Sequence, residues 1–183
     1  MADPTPGRVR RSIAVPREVA RRAGLGRFGR VLAGALADDG TWLLGTRDAL
    51  VRVPLQGEPA VLPWEQVEHA DWSKDGARLR ITEVGAYGEP RPEHVHAMSD
   101  PGLLVDLVRE RVTASVVLQR HAVVREGRGL FVIGRRAPRG AGAVHWMFAF
   151  DAGLDPTDPA VRAAAQLALA EACAEIGADP AQI

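Results

Sequence analysis

The chain has 183 residues, 46% of them hydrophobic and 25% charged, with a formal net charge of zero. That is enough apolar material for a packed core in one domain or two small lobes, and it excludes an intrinsically disordered chain. The single cysteine, Cys173, excludes an internal disulfide and a cysteine-based metal knuckle, and its EACAE setting reads as a buried helix position in a reducing compartment.

Charge is unevenly placed along the sequence. Residues 1–30 carry eight arginines against Asp3 and Glu18, a local charge of +6, whereas residues 151–183 carry six acids against Arg162, a local charge of −5. Residues 1–12, with Pro4, Pro6 and Gly7, have little to bury and are predicted to form a mobile tail. Pro16 then opens a short helix ended by Gly24, which turns Val19 and Ala20 or Ala23 toward the body and its arginines toward water. Arg10, Arg11, Arg17, Arg21 and Arg22 are candidate surface contacts for a polyanion, either nucleic acid or anionic lipid. The plainer reading folds this arm onto the acidic C-terminal region of its own chain or of a neighbouring copy in an oligomer, since only Phe28 is at hand to stack on a base.

Two motifs in this region fail on context. Arg10–Arg11 and Ala35-Leu36-Ala37 imitate a twin-arginine leader with its cleavage site, but six charges between them leave only Val31–Ala37 as an apolar run, so a cytoplasmic location is expected. Gly24-Leu-Gly26-Arg-Phe-Gly29 matches G-x-G-x-x-G. A dinucleotide loop needs a strand before it and a helix after it, and here the order is reversed.

From Val31 the apolar period becomes two, which predicts strands at 31–37, 41–46, 49–54, 66–72, 77–83 and 93–98. Ser73-Lys74-Asp75-Gly76 is the turn of a hairpin, with Asp-Gly supplying the positive backbone dihedrals. Leu79 and Ile81 face the core on one strand, and Val95 and Ala97 on the next, which turns His94 and His96 to solvent. Asp100 caps a helix beginning at Pro101 and buried along Leu103, Leu104, Leu107 and Val108. After Arg111 the positions 104, 108, 112 and 116 keep a helical stripe, but the β-branched run favours a strand from Val112, and two further strands follow at 129–136 and 144–150 around the Pro138–Gly142 loop. Asp158-Pro159 starts a last helix with Val161, Ala165, Ala168, Leu169, Ala172 and Ile176 inward and Gly177 as its stop.

The order of these parts carries a resemblance. A strand ending in Gly45-Thr46-Arg47, a strand ending in Val53-Pro54, and Leu62-Pro63-Trp64-Glu65 leading into Val67–Trp72 resemble a bacterial pleckstrin-homology-like (PH-like) domain over residues 31–110, and the whole chain is similar to an actinobacterial family of this length to which no activity attaches. The resemblance implies an antiparallel PH-like split barrel closed by a helix over 31–111; the predicted elements add a basic arm with a short helix over 1–30 and a smaller antiparallel sheet plus C-terminal helix over 112–183, separate from or continuous with 31–111, for an α+β fold. It implies a binding or scaffold role with a protein partner or self-association, and no catalytic set, cofactor or metal. Lipid binding does not come with it, because the Asp38-Asp39-Gly40 loop is acidic and the loop after Leu55 offers only Glu58.

Three constellations could still carry chemistry. His94-x-His96 puts two imidazoles on one strand face, and with His69 and Asp71 could build a small metal- or acid–base-dependent enzyme, but sequence supplies no third converging ligand. Glu65, Glu68 and Asp71 cluster with His69; strand alternation places Glu65 and His69 on the face of Val67, and Glu68 and Trp72 on the other. Trp64 follows a proline and is a candidate surface contact, although a tryptophan in a small barrel is more often core.

Overall fold

The computed structural model describes residues 14–25, 30–85, 91–140 and 142–178. The tail over 1–12, with Arg8, Arg10 and Arg11, and most of the glycine motif at 24–29 lie outside the described residues. The fold is α+β, with three antiparallel sheets and a C-terminal helix. Helix α1 (Arg17–Arg22) precedes a four-stranded meander of β1 (Ala33–Leu36), β2 (Trp42–Gly45), β3 (Ala49–Val53) and β4 (Ala60–Pro63). A 3₁₀ turn, Trp64–Gln66, leads into a three-stranded meander of β5 (Val67–Ser73), β6 (Arg78–Glu83) and β7 (Glu93–Ala97). Helix α2 (Leu104–Ser115) runs without a break into β8 (Val116–Arg125), which pairs with β9 (Arg128–Arg135), itself paired with β10 (His145–Phe150); α3 (Pro159–Ile176) ends the described chain.

The first two sheets share one core. Ala33, Ala35, Leu43, Leu50 and Leu62 from the first sheet meet Val67, Leu79 and Ile81 from the second, with Trp64, Met98, Leu104, Val105 and Val108 between them. The sheets are joined at two corners: the chain itself crosses at Trp64–Gln66, and the Asp38 amide donates to the Ala97 carbonyl at 2.8 Å. Helix α2 packs on β1, β2, β5 and the 3₁₀ turn. It comes so close that a Cβ on Gly45 would lie 2.5 Å from a Leu107 methyl, so a side chain here would have to displace Leu107. On the opposite face of the first sheet, Leu44, Val51 and Val53 are covered by Ala23 of α1 and partly buried Val15, Val19 and Leu25, as the apolar side of that helix predicts.

Several expectations are corrected by packing. β4 is absent from the predicted strands because Pro59 and Pro63 bracket it; it is an edge strand, paired only with β3, where proline is tolerated. The first helix of the body starts at Leu104 rather than Pro101, because Gly102 takes a left-handed φ of 52°, and Asp100 accepts from the Gly102 amide at 2.9 Å instead of capping the helix. The predicted strand from Val112 begins only at Val116: the helical stripe of Leu104 and Val108 continues through Val112, and burial of that stripe outweighs the β-branched preference. In the β5–β6 turn, the positive φ of 45° falls on Ala77 rather than on Gly76.

The face of β7 is reversed from the sequence reading. His96 pairs with Leu79 and His94 with Ile81 across the β6–β7 ladder, and directly opposed residues share a face, so the two imidazoles point to the core side. Val95 is accordingly 47% exposed. A bulge between Val67 and His69 likewise shifts the phase of β5, putting Ala70 and Trp72 with Val67 on the core face and His69 and Asp71 in solvent.

The second core lies under α3. Ala165, Ala168 and Ala172 pack on Leu130 and Val132 of β9, with Leu118, Ala122, Val124, Trp146, Phe148, Phe150 and Leu169 around them. The last helix forms as its sequence predicts: the Asp158 carboxylate accepts from the Ala160 amide at 2.8 Å, Pro159 opens the first turn and Gly177 ends it. That amide, then the Arg125 guanidinium, holds the Asp158 carboxyl below its ordinary 3.8. Asp158→Ala should therefore lower the urea midpoint at neutral pH, through loss of the cap. The deficit should shrink as pH falls through the lowered native value, because protonation removes the same interaction from the parent chain.

Candidate functional site

Among the described residues two places concentrate chemistry: a polar seam between the first two sheets, and the outer face of the third. In the seam, Arg52 on the inner side of β3 donates to His94 Nδ1 at 2.7 Å. Arginine has no acceptor, so Nδ1 must be the bare nitrogen, and Nε2 carries the hydrogen that it donates to Glu83 on β6. A cation on one sheet and a carboxylate on the other are thus linked through one imidazole of fixed tautomer. Arg52 lies two residues beyond Leu50, away from the end that α2 covers.

His96 lies beside this link and is only 9% exposed. Neither ring nitrogen has a hydrogen-bond partner or solvent contact among the described residues, and the Arg52 Nε is in the same condition. Burial pushes the His96 imidazole below its ordinary 6.5, the Arg52 charge adds to that push, Asp39 opposes it, and His94 adds a smaller downward contribution. Asp39 stands on the β1–β2 turn, its carboxyl held below 3.8 chiefly by the Thr41 amide, which donates to it at 2.8 Å.

The outer face of the β8–β9–β10 sheet is the second place. Val123, Phe131, Ile133 and Ala149 lie on the side away from α3, with Gln119 and His121 among them, as the ladder registers and the strict alternation along β8 require. Val123 is 65% exposed, and the His121 ring sits 4.6 Å from the Phe131 ring. His121 Nε2 also meets Asp151 at 3.3 Å. The Asp151 carboxyl is held below 3.8, first by the Gly129 amide at 2.7 Å and then by His121. Met147 and Arg135 lie on this same side and are buried, Arg135 against α2 and β5, so the side is closed at that end and open around Val123, where an uncovered antiparallel face ordinarily alternates to polar.

The candidate residues named from sequence fall in different places. Trp64 is fully buried and donates its indole N–H to the Thr46 carbonyl at 3.1 Å, so it belongs to the core and offers no surface contact. Arg17 and Arg21 are exposed on α1. Arg22 instead binds the carbonyls of Pro54 at 2.9 Å, Gly57 at 3.2 Å and Leu55 at 3.3 Å, which fastens α1 to the turn after β3. His69 and Asp71 pair at 2.7 Å on the solvent side of β5, while His94 and His96 point inward from β7, so the four do not converge. Among the described residues no three His, Cys, Asp or Glu side chains are grouped to hold a metal ion.

Of the basic arm expected to pair with the acidic C-terminal region, residues 1–13 lie outside the described residues, and described acids of that region have partners within their own sheet. Glu171 and Glu175 of α3 meet Arg120 of β8 at 2.9 and 3.5 Å, and Asp158 meets Arg125 of the same strand. These acids therefore tie α3 to its own sheet, while α1 docks on the first sheet. Sequence reasoning missed one further residue, Arg135 on β9. It is 5% exposed and donates to the Ser115 hydroxyl and the Glu68 carbonyl at 2.8 Å each and to the Val112 carbonyl at 3.1 Å, joining the third sheet to α2 and β5. No family model, curated protein or solved structure matches this chain. Among the described residues no helix is long and apolar enough to cross a membrane.

Proposed function

We propose that this chain is a cytoplasmic, non-enzymatic module of PH-like build that acts by docking a protein partner on the outer face of its third sheet. The observation that carries the reading is the open end of that face: exposed Val123 stands with partly buried Phe131, Ile133 and Ala149 beside exposed Gln119 and His121, on a sheet whose other side is already used by α3. An open sheet face does not enclose a small molecule as a pocket does, whereas apolar patches with polar rims are the usual ground of protein contacts. The PH-like part rests on the order of elements, a four-stranded and a three-stranded meander around one core followed by a helix that packs on both. Cytoplasmic location rests on the lone buried cysteine, which suits a reducing compartment.

A photo-cross-linking residue at position 123 tests this directly in the producing cell, with position 167 on α3 as the exposed apolar control. The expected result is a discrete protein adduct at 123 that is missing at 167 and is lost when Phe131 is replaced by Ser in a variant with unchanged thermal midpoint. An adduct between two copies of this chain would make the partner a second copy. Equal labelling at both positions, or none at 123, would sink the proposal.

A further inference from the structure

We infer that His96 makes the seam between the first two sheets a proton-sensitive latch, in which proton uptake by the imidazole frees the β1–β2 turn from β7. The argument begins with burial. A neutral imidazole can stay enclosed at modest cost, but an imidazolium there has two N–H groups and a charge with nothing to receive them. The groups around it do not compensate. Arg52 from β3 repels the added charge, and His94 on β7 is already held between Arg52 and Glu83 of β6. Asp39, on the β1–β2 turn, is the carboxylate that attracts it, and its carboxyl is engaged by the Thr41 amide.

The least costly response is for the ring to reach water beside Asp39, and one contact stands in the way. The Asp38 amide donates to the carbonyl of Ala97, the residue after His96, at 2.8 Å, and the turn is otherwise closed on itself by Ala37 N–H to the Thr41 carbonyl at 2.8 Å. Letting go of Ala97 moves the turn without breaking its own hydrogen bonds or the β6–β7 ladder. The depressed titration of His96 gives the sign: the open form binds a proton at the ordinary 6.5, the closed form only below it, so opening grows more favourable as pH falls from about 6.5 toward the native value.

Amide hydrogen exchange on the full chain, taken from about pH 7.5 to about pH 5 and corrected for intrinsic rates, reads this latch. The Asp38 amide should lose protection by up to about tenfold per pH unit below the ordinary histidine value, while the Val51 amide in β3 keeps its own. In His96→Phe, which keeps a ring but cannot titrate, the pH-dependent loss at Asp38 should vanish. Persistence of the loss in that variant, or its absence in the parent chain, overturns the latch. Should His96→Phe not fold, the NMR titration of the His96 ring in the parent chain decides instead. A midpoint at the ordinary value, or one that differs from the midpoint of the Asp38 exchange, overturns the proposal equally.

Discussion

Trp64→Ala should be among the most destabilising single changes in the chain, costing about 3–5 kcal/mol in a urea titration, the scale for emptying a buried tryptophan site. Trp64 is fully buried at the corner where the first sheet turns into the second, among Leu50, Val67, Leu104 and Val108. Its backbone amide donates to the Asp48 carbonyl at 3.2 Å and its indole to the Thr46 carbonyl at 3.1 Å, so one residue closes the β2–β3 turn from two sides. Thr46 is itself 7% exposed, and its hydroxyl donates to the Ala49 carbonyl at 2.8 Å, so water cannot readily replace the indole. Trp64→Phe separates the two contributions: it keeps most of the volume and leaves the Thr46 carbonyl without the indole, for a loss of about 1–3 kcal/mol. A loss under about 1 kcal/mol for the alanine variant would show that the corner repacks without it.

α3 is legible because every signal is local: Asp158 and Pro159 start it, Gly177 stops it, and small apolar residues at helical spacing mark one face. The β7 strand misleads because its local pattern and its register disagree. Val95 and Ala97 look like the core side, but the ladder places His94 and His96 opposite Ile81 and Leu79, and the partner strand decides the face. A single bulge after Val67 has the same effect on β5, where two-residue counting puts His69 on the core face and Trp72 on the other, the reverse of what forms. Of the seam, the histidines could be named from sequence. Arg52 and Glu83 could not, being 42 and 11 residues from His94 in the chain.

Arg135→Ala should cost about 3–5 kcal/mol, the scale for removing one member of a buried, charged, hydrogen-bonded set. The guanidinium reaches two backbone carbonyls and one hydroxyl, with separations of 67 residues to Glu68, 23 to Val112 and 20 to Ser115. Its two nearest acceptors on α2 lie in the last turn, where helix carbonyls have no partners of their own and the helix end carries partial negative charge. Burial lowers the Arg135 pKa from its ordinary value, and the Glu68 carboxylate opposes that shift. The cation is kept even so, because arginine stays protonated under these conditions. Taking the side chain away removes the donor to the Glu68 carbonyl and leaves the Val112 carbonyl only the Ser115 hydroxyl, which is why the cost should exceed that of the exposed Arg139–Asp48 pair, worth about 0–1 kcal/mol. Arg135→Lys should recover only part of the loss, since one ammonium cannot span β5 and α2 as a planar fork does. The junction between the two cores gives the distinguishing readout: in the alanine variant urea should unfold the α3 core ahead of the first, splitting a transition that is single in the parent. A loss below about 1 kcal/mol with one unbroken transition would mean that the continuous run from α2 into β8 holds the two cores together without this residue.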